Sequence, residues 1–104
     1  MKSFLLTMPA VAAILLSGAA HADLELAKKS GCMACHAVDK KVVGPAWQDV
    51  AAKYKGDSSA KATIVSSLEN GSRGKWGQVP MPAQKRLTAE ERDKLAEYVI
   101  SLAE

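Results

Sequence analysis

The sequence predicts an all-α fold of four to five short helices, and three observations support that class. In several separate stretches of the 104-residue chain, apolar residues recur at the i, i+3, i+4 and i+7 positions of a helix. A capping box precedes the last of these stretches. The segments between them are interrupted by glycine and proline, which favours turns and loops over strands.

The first 22 residues have the form of a secretory signal peptide. Lys2 supplies the positive n-region, residues 4–16 form a largely apolar h-region, and Ala-His-Ala at residues 20–22 has the small-x-small pattern of a cleavage site. The apolar run is shorter than the roughly 20 residues that a membrane-spanning helix needs. We therefore expect cleavage after Ala22 and export to the periplasm, which leaves one mature domain over residues 23–104 without a membrane span.

Charge and size constrain that mature domain. The full chain has 14 Lys and Arg against 11 Asp and Glu, a formal net charge of +3, and cleavage removes one of those basic residues. So small an excess gives no reason to expect a nucleic-acid partner. Below roughly 70–80 residues a hydrophobic core rarely suffices without a metal, a disulfide or another staple. The mature domain lies near this limit, so we expect it to contain a staple.

The first two predicted helices lie on either side of the chain's two cysteines. Residues 24–30 form the first helix, which ends at Gly31. The second begins at Pro45, and Gly56 is its stop. Helical spacing predicts the following buried positions: Leu26 and Ala27 in the first helix, and Trp47, Val50, Ala51 and Tyr54 in the second.

Two further helices are predicted toward the C-terminus. Ser58 or Ser59 caps the third helix, and Asn70-Gly71 ends it. Thr88-Ala89-Glu90-Glu91 is a capping box at the start of the fourth, which we expect to pack across the first. The apolar positions are Ile64, Val65 and Leu68 in the third helix and Leu95, Tyr98, Val99 and Leu102 in the fourth.

The motif Cys32-Met33-Ala34-Cys35-His36 lies between the first two helices. Cys32, Cys35 and His36 occupy positions i, i+3 and i+4, so they share one face of a helical turn. In a C-x-x-C-H motif each thiol can form a thioether to a haem vinyl group, and the imidazole can reach the iron from the same side. The motif therefore predicts one covalently attached haem c, which would also serve as the staple.

Two other functions of C-x-x-C have to be weighed. A structural zinc site needs four ligands, and the chain has only two cysteines and no second Cys or His cluster. A redox disulfide between Cys32 and Cys35 stays open, because an oxidising periplasm would favour it if no haem were attached. A thiol–disulfide oxidoreductase is therefore an alternative function.

Residues 71–86 form a long loop between the last two helices. They contain three glycines and two prolines, so they fit neither a regular helix nor a strand. Loops longer than about 12–15 residues are uncommon in compact domains and are usually functional or disordered. Trp76, Val79 and Met81 are apolar and argue against disorder. We therefore expect these three side chains to pack against an apolar surface.

Met81 is the candidate sixth ligand of a haem iron. Once the signal peptide is removed, His36 is the single histidine, and Met33 and Met81 are the two methionines. Met33 lies between the cysteines and cannot reach the opposite face of a haem attached there. Pro80 and Pro82 bracket Met81 and favour a stiff, extended segment, which suits a loop that holds a thioether at a metal.

These features together resemble the small class I bacterial cytochromes c, most closely the cytochrome c-551 type. The resemblance covers essentially the whole mature chain and rests on five motifs in order, namely Cys32-Met33-Ala34-Cys35-His36, Val43-Gly44-Pro45, Asn70-Gly71, Trp76-Gly77 and Pro80-Met81-Pro82. It implies the class I cytochrome c fold, in which four to five short helices are wrapped around one haem c. It also implies thioethers at Cys32 and Cys35, with His36 as the proximal iron ligand and Met81 as the distal one.

The resemblance further implies residues that support the haem without binding its iron. The Pro45 carbonyl accepts the other ring N–H of His36, and Trp76 donates its indole N–H to a haem propionate. The chain departs from the family at three positions. Ala83 and Gln84 stand where a second proline and an asparagine are frequent, and Ser67 stands where some members have an arginine near the inner propionate. We therefore expect ionisation of this propionate to affect the reduction potential of the iron differently in this chain.

The function implied by the resemblance is single-electron transfer rather than enzymatic catalysis. The iron would cycle between Fe(II) and Fe(III), taking electrons from a quinol-oxidising cytochrome complex and passing them to a terminal reductase, such as nitrite reductase, or an oxidase. We expect a monomer that docks its redox partners at the haem edge near Cys32 and Met81. The candidate apolar patch of that face is Val42, Val43 and Val79. The lysines that could surround it and steer an acidic partner are at positions 28, 29, 40, 41, 53, 55, 75 and 85. A haem-based ligand sensor or weak peroxidase is the alternative if Met81 is labile.

Overall fold

The computed structural model describes residues 22–103, which fold into four α-helices and one short 3-10 turn. Helix α1 covers residues 22–29, and the 3-10 turn is Cys32–Ala34. The other helices are α2 (Trp47–Lys53), α3 (Ala60–Asn70) and α4 (Ala89–Ile100). Within these residues, extended pairing is limited to two isolated bridges. The predicted all-α class is confirmed.

The predicted signal peptide is not part of this description, because residues 1–21 lie outside the described residues. The peptide and its cleavage after Ala22 therefore stay predictions. Between residues 22 and 103, no helix is both long enough and apolar enough to cross a membrane.

The signals at the helix ends agree with the structure in three places. Gly31 and Gly71 follow α1 and α3 with φ angles of +82° and +83°, which glycine adopts without steric cost. The capping box at the start of α4 is formed in full. Thr88 Oγ1 accepts from the Glu91 backbone N–H at 3.1 Å, and Glu91 Oε1 accepts from the Thr88 N–H at 2.9 Å.

Two predicted helix starts need correction. Pro45 does not open α2, which begins at Trp47 after the extended Ala46. The first N–H groups of α2 are instead satisfied by the preceding loop, since Trp47 N–H donates to the Ala37 carbonyl at 3.0 Å. At α3, Ser59 is the cap residue as predicted, but its side chain makes no capping bond. The Asp57 carboxylate accepts from the Ser59 backbone N–H at 2.8 Å and orders that turn.

Helix α4 forms the centre of the core and packs against both α2 and α3. The indole of Trp47 meets the ring of Tyr98 edge to face, with centroids 6.0 Å apart. Ala27 of α1 is completely buried in the same cluster, while the crossing of α1 by α4 stays a prediction. The buried residues of this cluster are Ala27, Trp47, Val50, Leu68, Leu87, Leu95, Tyr98 and Val99.

Candidate functional site

A large open cavity brings the predicted site residues together. It encloses about 1240 Å³ of empty space, the open solvent at its mouth included. All six predicted residues line it, namely Cys32, Cys35, His36, Pro45, Trp76 and Met81. Residues 31–45 form what we call the histidine side of the cavity, and residues 71–86 form the methionine side.

The cysteine motif adopts a tight turn at the histidine side. Gly31 takes a left-handed conformation (φ +82°, ψ +10°), and the 3-10 turn follows directly. The predicted helical turn is therefore a 3-10 turn, whose Cys32 carbonyl accepts from both Cys35 N–H at 3.2 Å and His36 N–H at 3.0 Å. With the backbone in this turn, the side chains of Cys32, Cys35 and His36 all line the cavity.

The two thiols of the motif differ in environment. Cys35 is exposed, whereas Cys32 is half-buried. Burial raises the pKa of the Cys32 thiol, while the nearby positive charge of Arg86 acts in the opposite direction. Arg86 comes from the end of the methionine side and packs over Gly31, since a Cβ on that glycine would lie 3.2 Å from the guanidinium. This contact was not anticipated from sequence.

His36 is oriented by contacts on three sides. Its Nδ1 lies 2.8 Å from the Pro45 carbonyl oxygen, and because a carbonyl can only accept, Nδ1 carries the proton. Gly44 packs against the ring so closely that a Cβ there would lie 2.7 Å from Cε1. Trp47 stacks on the imidazole, with centroids 5.5 Å apart. The Nε2 atom is therefore left with a lone pair, and the ring is held in place to present it.

The Gly44 and Trp47 contacts with the imidazole were not anticipated from sequence. Gly44 was identified only as part of a turn, and Trp47 only as a core residue. The tight turn was the available signal, because a glycine next to a proline often marks a close approach of the backbone to another group.

Met81 is held at the methionine side through its backbone. Its N–H donates to the Ser72 carbonyl at 2.9 Å, and its own carbonyl accepts from the Ser72 N–H at 3.0 Å. Gly71 precedes this bridge, and a Cβ on it would lie 2.8 Å from the Met81 carbonyl oxygen. At the end of the segment, Gln84 N–H donates to the Leu68 carbonyl at 2.7 Å, which ties the loop to α3. Ser72 was not singled out by sequence reasoning.

The positions that depart from the family pattern also lie around the cavity. The Gln84 side-chain amide donates to the Pro82 carbonyl at 2.8 Å, so it stabilises the turn after Met81. Ser67 of α3 lines the cavity. Trp76 lines the cavity as well and is 37 % exposed, with the ammonium of Lys53 lying 4.6 Å from its ring centroid.

Exposed apolar side chains occur near the cavity mouth. Val42, Val43 and Val79 are 48 %, 49 % and 63 % exposed, and we call these three the valine patch. Val43 and Val79 also line the cavity, from the histidine and the methionine side respectively.

The residues around the cavity suit a haem c. Two thiols and an imidazole with a free Nε2 lie on one side, a thioether sulfur on the other, and the remaining lining is mainly apolar, with Val50, Leu68, Leu95 and Val99 at its base. A mainly helical fold around such a cavity defines a small single-haem electron carrier.

Comparisons with known proteins identify the family of this carrier. The family model described as cytochrome c matches residues 24–103, so the chain belongs to the cytochrome c family. The chain is 42% identical over 102 residues to cytochrome c-552 of Nitrosomonas europaea, covering 98% of this chain and 99% of that protein. It is 45% identical over 98 residues to cytochrome c-551 of Pseudomonas aeruginosa, covering 93% of each chain.

Solved structures agree with this assignment. The crystal structure of wild-type Nitrosomonas europaea cytochrome c552 matches with a TM-score of 0.74 at 42% identity, covering 76% of this chain and 98% of that chain. The class 1 cytochrome MtoD from Sideroxydans lithotrophicus ES-1 matches with a TM-score of 0.70 at 27% identity, covering 81% of this chain and 96% of that chain. The fold expected from the resemblance is confirmed.

Family membership establishes the cofactor and the general class of function. The chain binds one covalently attached haem c with its iron, and it is an electron-transfer protein rather than an enzyme. Its partners are redox proteins. A thiol–disulfide oxidoreductase is therefore not supported, because the cytochromes c to which this chain is related are electron-transfer proteins rather than enzymes.

Proposed function

We propose that this protein is a monomeric, periplasmic single-electron carrier whose haem is attached through Cys32 and Cys35. In this assignment His36 is the proximal iron ligand and Met81 the distal one. Electrons arrive from a quinol-oxidising cytochrome complex and leave to a terminal reductase, such as a nitrite reductase, or to an oxidase. The domain would comprise residues 23–104, and residues 1–22 would serve as the signal peptide for export.

The geometry of His36 is the observation that carries this proposal. The 2.8 Å contact from Nδ1 to the Pro45 carbonyl fixes the tautomer and leaves Nε2 as the donor atom for a metal. The same contact makes the imidazole a stronger base and limits its rotation. Met81 lines the same cavity, and its thioether is the group that we assign to complete the ligand set.

Ligation on both faces determines the chemistry that this site performs. The haem supplies one-electron chemistry by alternating between Fe(III) and Fe(II), and a Met/His ligand pair raises its reduction potential. Because His36 and Met81 would both hold the iron, no position would be left open to oxygen, peroxide or a substrate. The contribution of the chain is to hold the two ligands still, to exclude water with its apolar lining and to offer a surface for docking.

Two further residues are assigned to the haem propionates and their surroundings. Trp76 lines the cavity, and its indole N–H is the group we assign to a propionate. Ser67 faces the cavity where some family members have an arginine, so the propionate near it lacks that positive charge. We expect the pH dependence of the reduction potential to differ from that of arginine-bearing relatives for this reason.

The valine patch is the proposed docking face. Apolar residues at an interface centre supply contact area that is removed from water, and charges around it steer the approach of the partner. Lysines at positions 28, 29, 40, 41, 53, 55, 75 and 85 are candidates for that steering, which would favour an acidic partner. The expected signature is an association rate that falls as ionic strength rises.

The test of the ligand assignment compares two methionine variants of the exported holoprotein. Met81→Leu removes the proposed ligand, whereas Met33→Leu alters a half-buried methionine that packs on the core without lining the cavity. We expect the weak red absorption band of the iron–methionine bond in the oxidised wild type and in Met33→Leu. In Met81→Leu we expect that band to be lost, and the reduced protein to bind carbon monoxide.

Two results would contradict the proposal. If Met81→Leu keeps the red band, Met81 is not the ligand. If the reduced wild type already binds carbon monoxide readily, the sixth position is labile, and a ligand sensor or weak peroxidase becomes the better assignment.

A further inference from the structure

The ammonium of Lys53 lies over the indole of Trp76. Lys53 is in the last turn of α2, and its Nζ is 4.6 Å from the Trp76 ring centroid. Cation–π attraction is significant within about 6 Å and is strongest for tryptophan. The same Nζ is 6.0 Å from the ring of Tyr54, at the limit of that range, so the indole is its main aromatic partner.

No acidic side chain in the described part of the chain pairs with this ammonium. The ion pairs found among residues 22–103 are Lys28–Glu25, Lys61–Glu97 and Lys94–Glu90, and none involves Lys53. Lys53 is otherwise exposed to solvent. The contact with Trp76 is therefore the specific interaction that places this side chain.

Trp76 occupies a critical position in its loop. The backbone bonds between Ser72 and Met81 close the base of the loop, and Trp76 lies between these two residues in sequence. Residues 73–80 bury little surface against the rest of the polypeptide, so apart from the haem that the cavity would hold, few groups fix this part of the loop. Lys53 joins that part of the loop to a helix of the core, whereas the backbone bridge holds only the base.

We infer that Lys53 is a positioning residue for the methionine ligand, acting through Trp76. Its ammonium fixes the plane of the indole, and with it the closed conformation of the loop that ends at Met81. The inference rests on the proposed function, because it takes Met81 as the iron ligand and Trp76 as the propionate donor. Lys53 itself touches neither the iron nor its ligands in this assignment.

Amide hydrogen exchange of the holoprotein tests the inference at the base of the loop. The Ser72 and Met81 N–H groups donate to each other's carbonyls, so they exchange only when the loop opens. Lys53→Met removes the charge and keeps an apolar stem, and we expect about three-fold faster exchange of both amides, which corresponds to the strength of an exposed cation–π contact. Lys53→Arg should restore the wild-type rate. The matched control is Lys55→Met, because Lys55 is an exposed lysine two residues away with no aromatic partner among the described residues, and it should leave the rate unchanged.

Variants of Trp76 show whether the effect passes through the indole. In a Trp76→Leu background the ring is absent, so Lys53→Met should have no further effect on exchange. In a Trp76→Phe background an aromatic face remains without the N–H, so part of the Lys53 effect should persist. A full Lys53 effect in Trp76→Leu would overturn the inference.

Exchange elsewhere in the molecule excludes a merely structural role. Amides released by local opening of the histidine side, such as those of Val43 and Gly44 that donate to the Cys35 carbonyl, should exchange at wild-type rates in Lys53→Met, because that opening leaves the Lys53–Trp76 contact intact. If they accelerate by the same factor as Ser72 and Met81, Lys53 affects global stability only, and the inference is wrong. Equal rates in wild type and Lys53→Met would also overturn it.

The absorption spectrum separates this failure from failure of the proposed function. If Met81 is not a ligand, the red band is already missing from the wild type, whatever Lys53 does. If Met81 is a ligand and the inference holds, the band is present in Lys53→Met but disappears at a lower denaturant concentration than in wild type or Lys55→Met. If the band is present and is lost at the same concentration in all three proteins, only the inference fails.

Discussion

The histidine and methionine sides of the cavity are each tied to a residue nine positions away, but through different groups. On the histidine side, the His36 side chain itself bonds to the Pro45 carbonyl at 2.8 Å. On the methionine side, only the Met81 backbone is bonded, to Ser72 at 2.9 and 3.0 Å. A thioether sulfur is a weak acceptor and has no donor, so a methionine side chain cannot be oriented as an imidazole can.

This difference explains what surrounds each ligand. Gly44 and Trp47 contact the imidazole directly, so the histidine side holds the donor atom as well as the chain. Gly71 packs instead against the Met81 carbonyl, so the contact on the methionine side is to the main chain rather than to the sulfur of the proposed ligand. We expect the methionine side to open first under stress, because its contacts end at the backbone and most of its loop is exposed.

The largest effect is expected from Gly71→Ala, which disturbs the methionine side. Gly71 has φ +83° and ψ +177°, a region used almost only by glycine, and a Cβ there would lie 2.8 Å from the Met81 carbonyl oxygen. Strain in this region costs about 1–3 kcal/mol, and displacement of the bridge adds to it. Denaturant unfolding of the holoprotein, followed by far-ultraviolet circular dichroism and by the red band, should show the band lost well before the helices.

The control for this variant is Gly56→Ala. Gly56 has a similar φ of +80°, but a Cβ there would meet nothing within 4 Å. It should lower stability by about 1 kcal/mol from backbone strain alone, without early loss of the band. Equal behaviour of the two variants would show that the close approach at Gly71 is unimportant.

Gly44→Ala should have the next largest effect and should disturb the histidine side alone. Its Cβ would lie 2.7–3.2 Å from three atoms of the imidazole, so the ring has to move or the turn has to shift. Overpacking of this kind costs about 1–3 kcal/mol. We expect lower stability together with a changed reduction potential, measured by spectroelectrochemical titration, while exchange at Ser72 and Met81 stays at the wild-type rate. Faster exchange at those amides would mean that the two sides are not independent.

Thr88→Ala should lower the stability of both sides of the cavity by the same amount. It removes the capping oxygen at the start of α4, which costs about 1 kcal/mol. For a small domain this corresponds to a fall in Tm of roughly 4–8 °C by calorimetry. The order of events should not change, so the red band should still be lost before the helices. A variant in which both are lost together would show that the lability of the methionine side depends on α4.

The smallest effect is expected at the exposed ion pair between α3 and α4. Lys61 Nζ donates to Glu97 Oε2 at 2.9 Å, and this bond raises the pKa of Lys61 above its usual 10.5. A group whose pKa is raised in the folded state contributes stability below its unfolded pKa, and the contribution is lost as pH rises through the folded pKa. Wild type should therefore be only slightly more stable than Lys61→Met near neutral pH, because solvent screens the pair. The difference should vanish as pH rises through the raised pKa of Lys61, and a difference that grows with pH would contradict this assignment.

Local patterns in the sequence were sufficient for much of the fold. The capping box at Thr88, the glycine stops and the apolar spacing predicted the helices, because each depends on groups a few residues apart. The wrongly predicted start of α2 also has an identifiable cause. Pro45 was taken as a helix start because proline is common there, yet its carbonyl bonds to His36 and α2 begins later.

The sequence by itself determined the chemistry of this protein, since C-x-x-C-H and a proline-bracketed methionine specify thiols, an imidazole and a thioether at fixed intervals along the chain. Only the tertiary structure decided which groups hold those ligands. No periodic pattern in the sequence predicts the contacts that position them, which are Ser72 with Met81, Gly44 with His36 and Lys53 with Trp76. Such pairs form when distant segments are packed together around a shared core, and their partners depend on the path of the whole chain rather than on neighbouring residues.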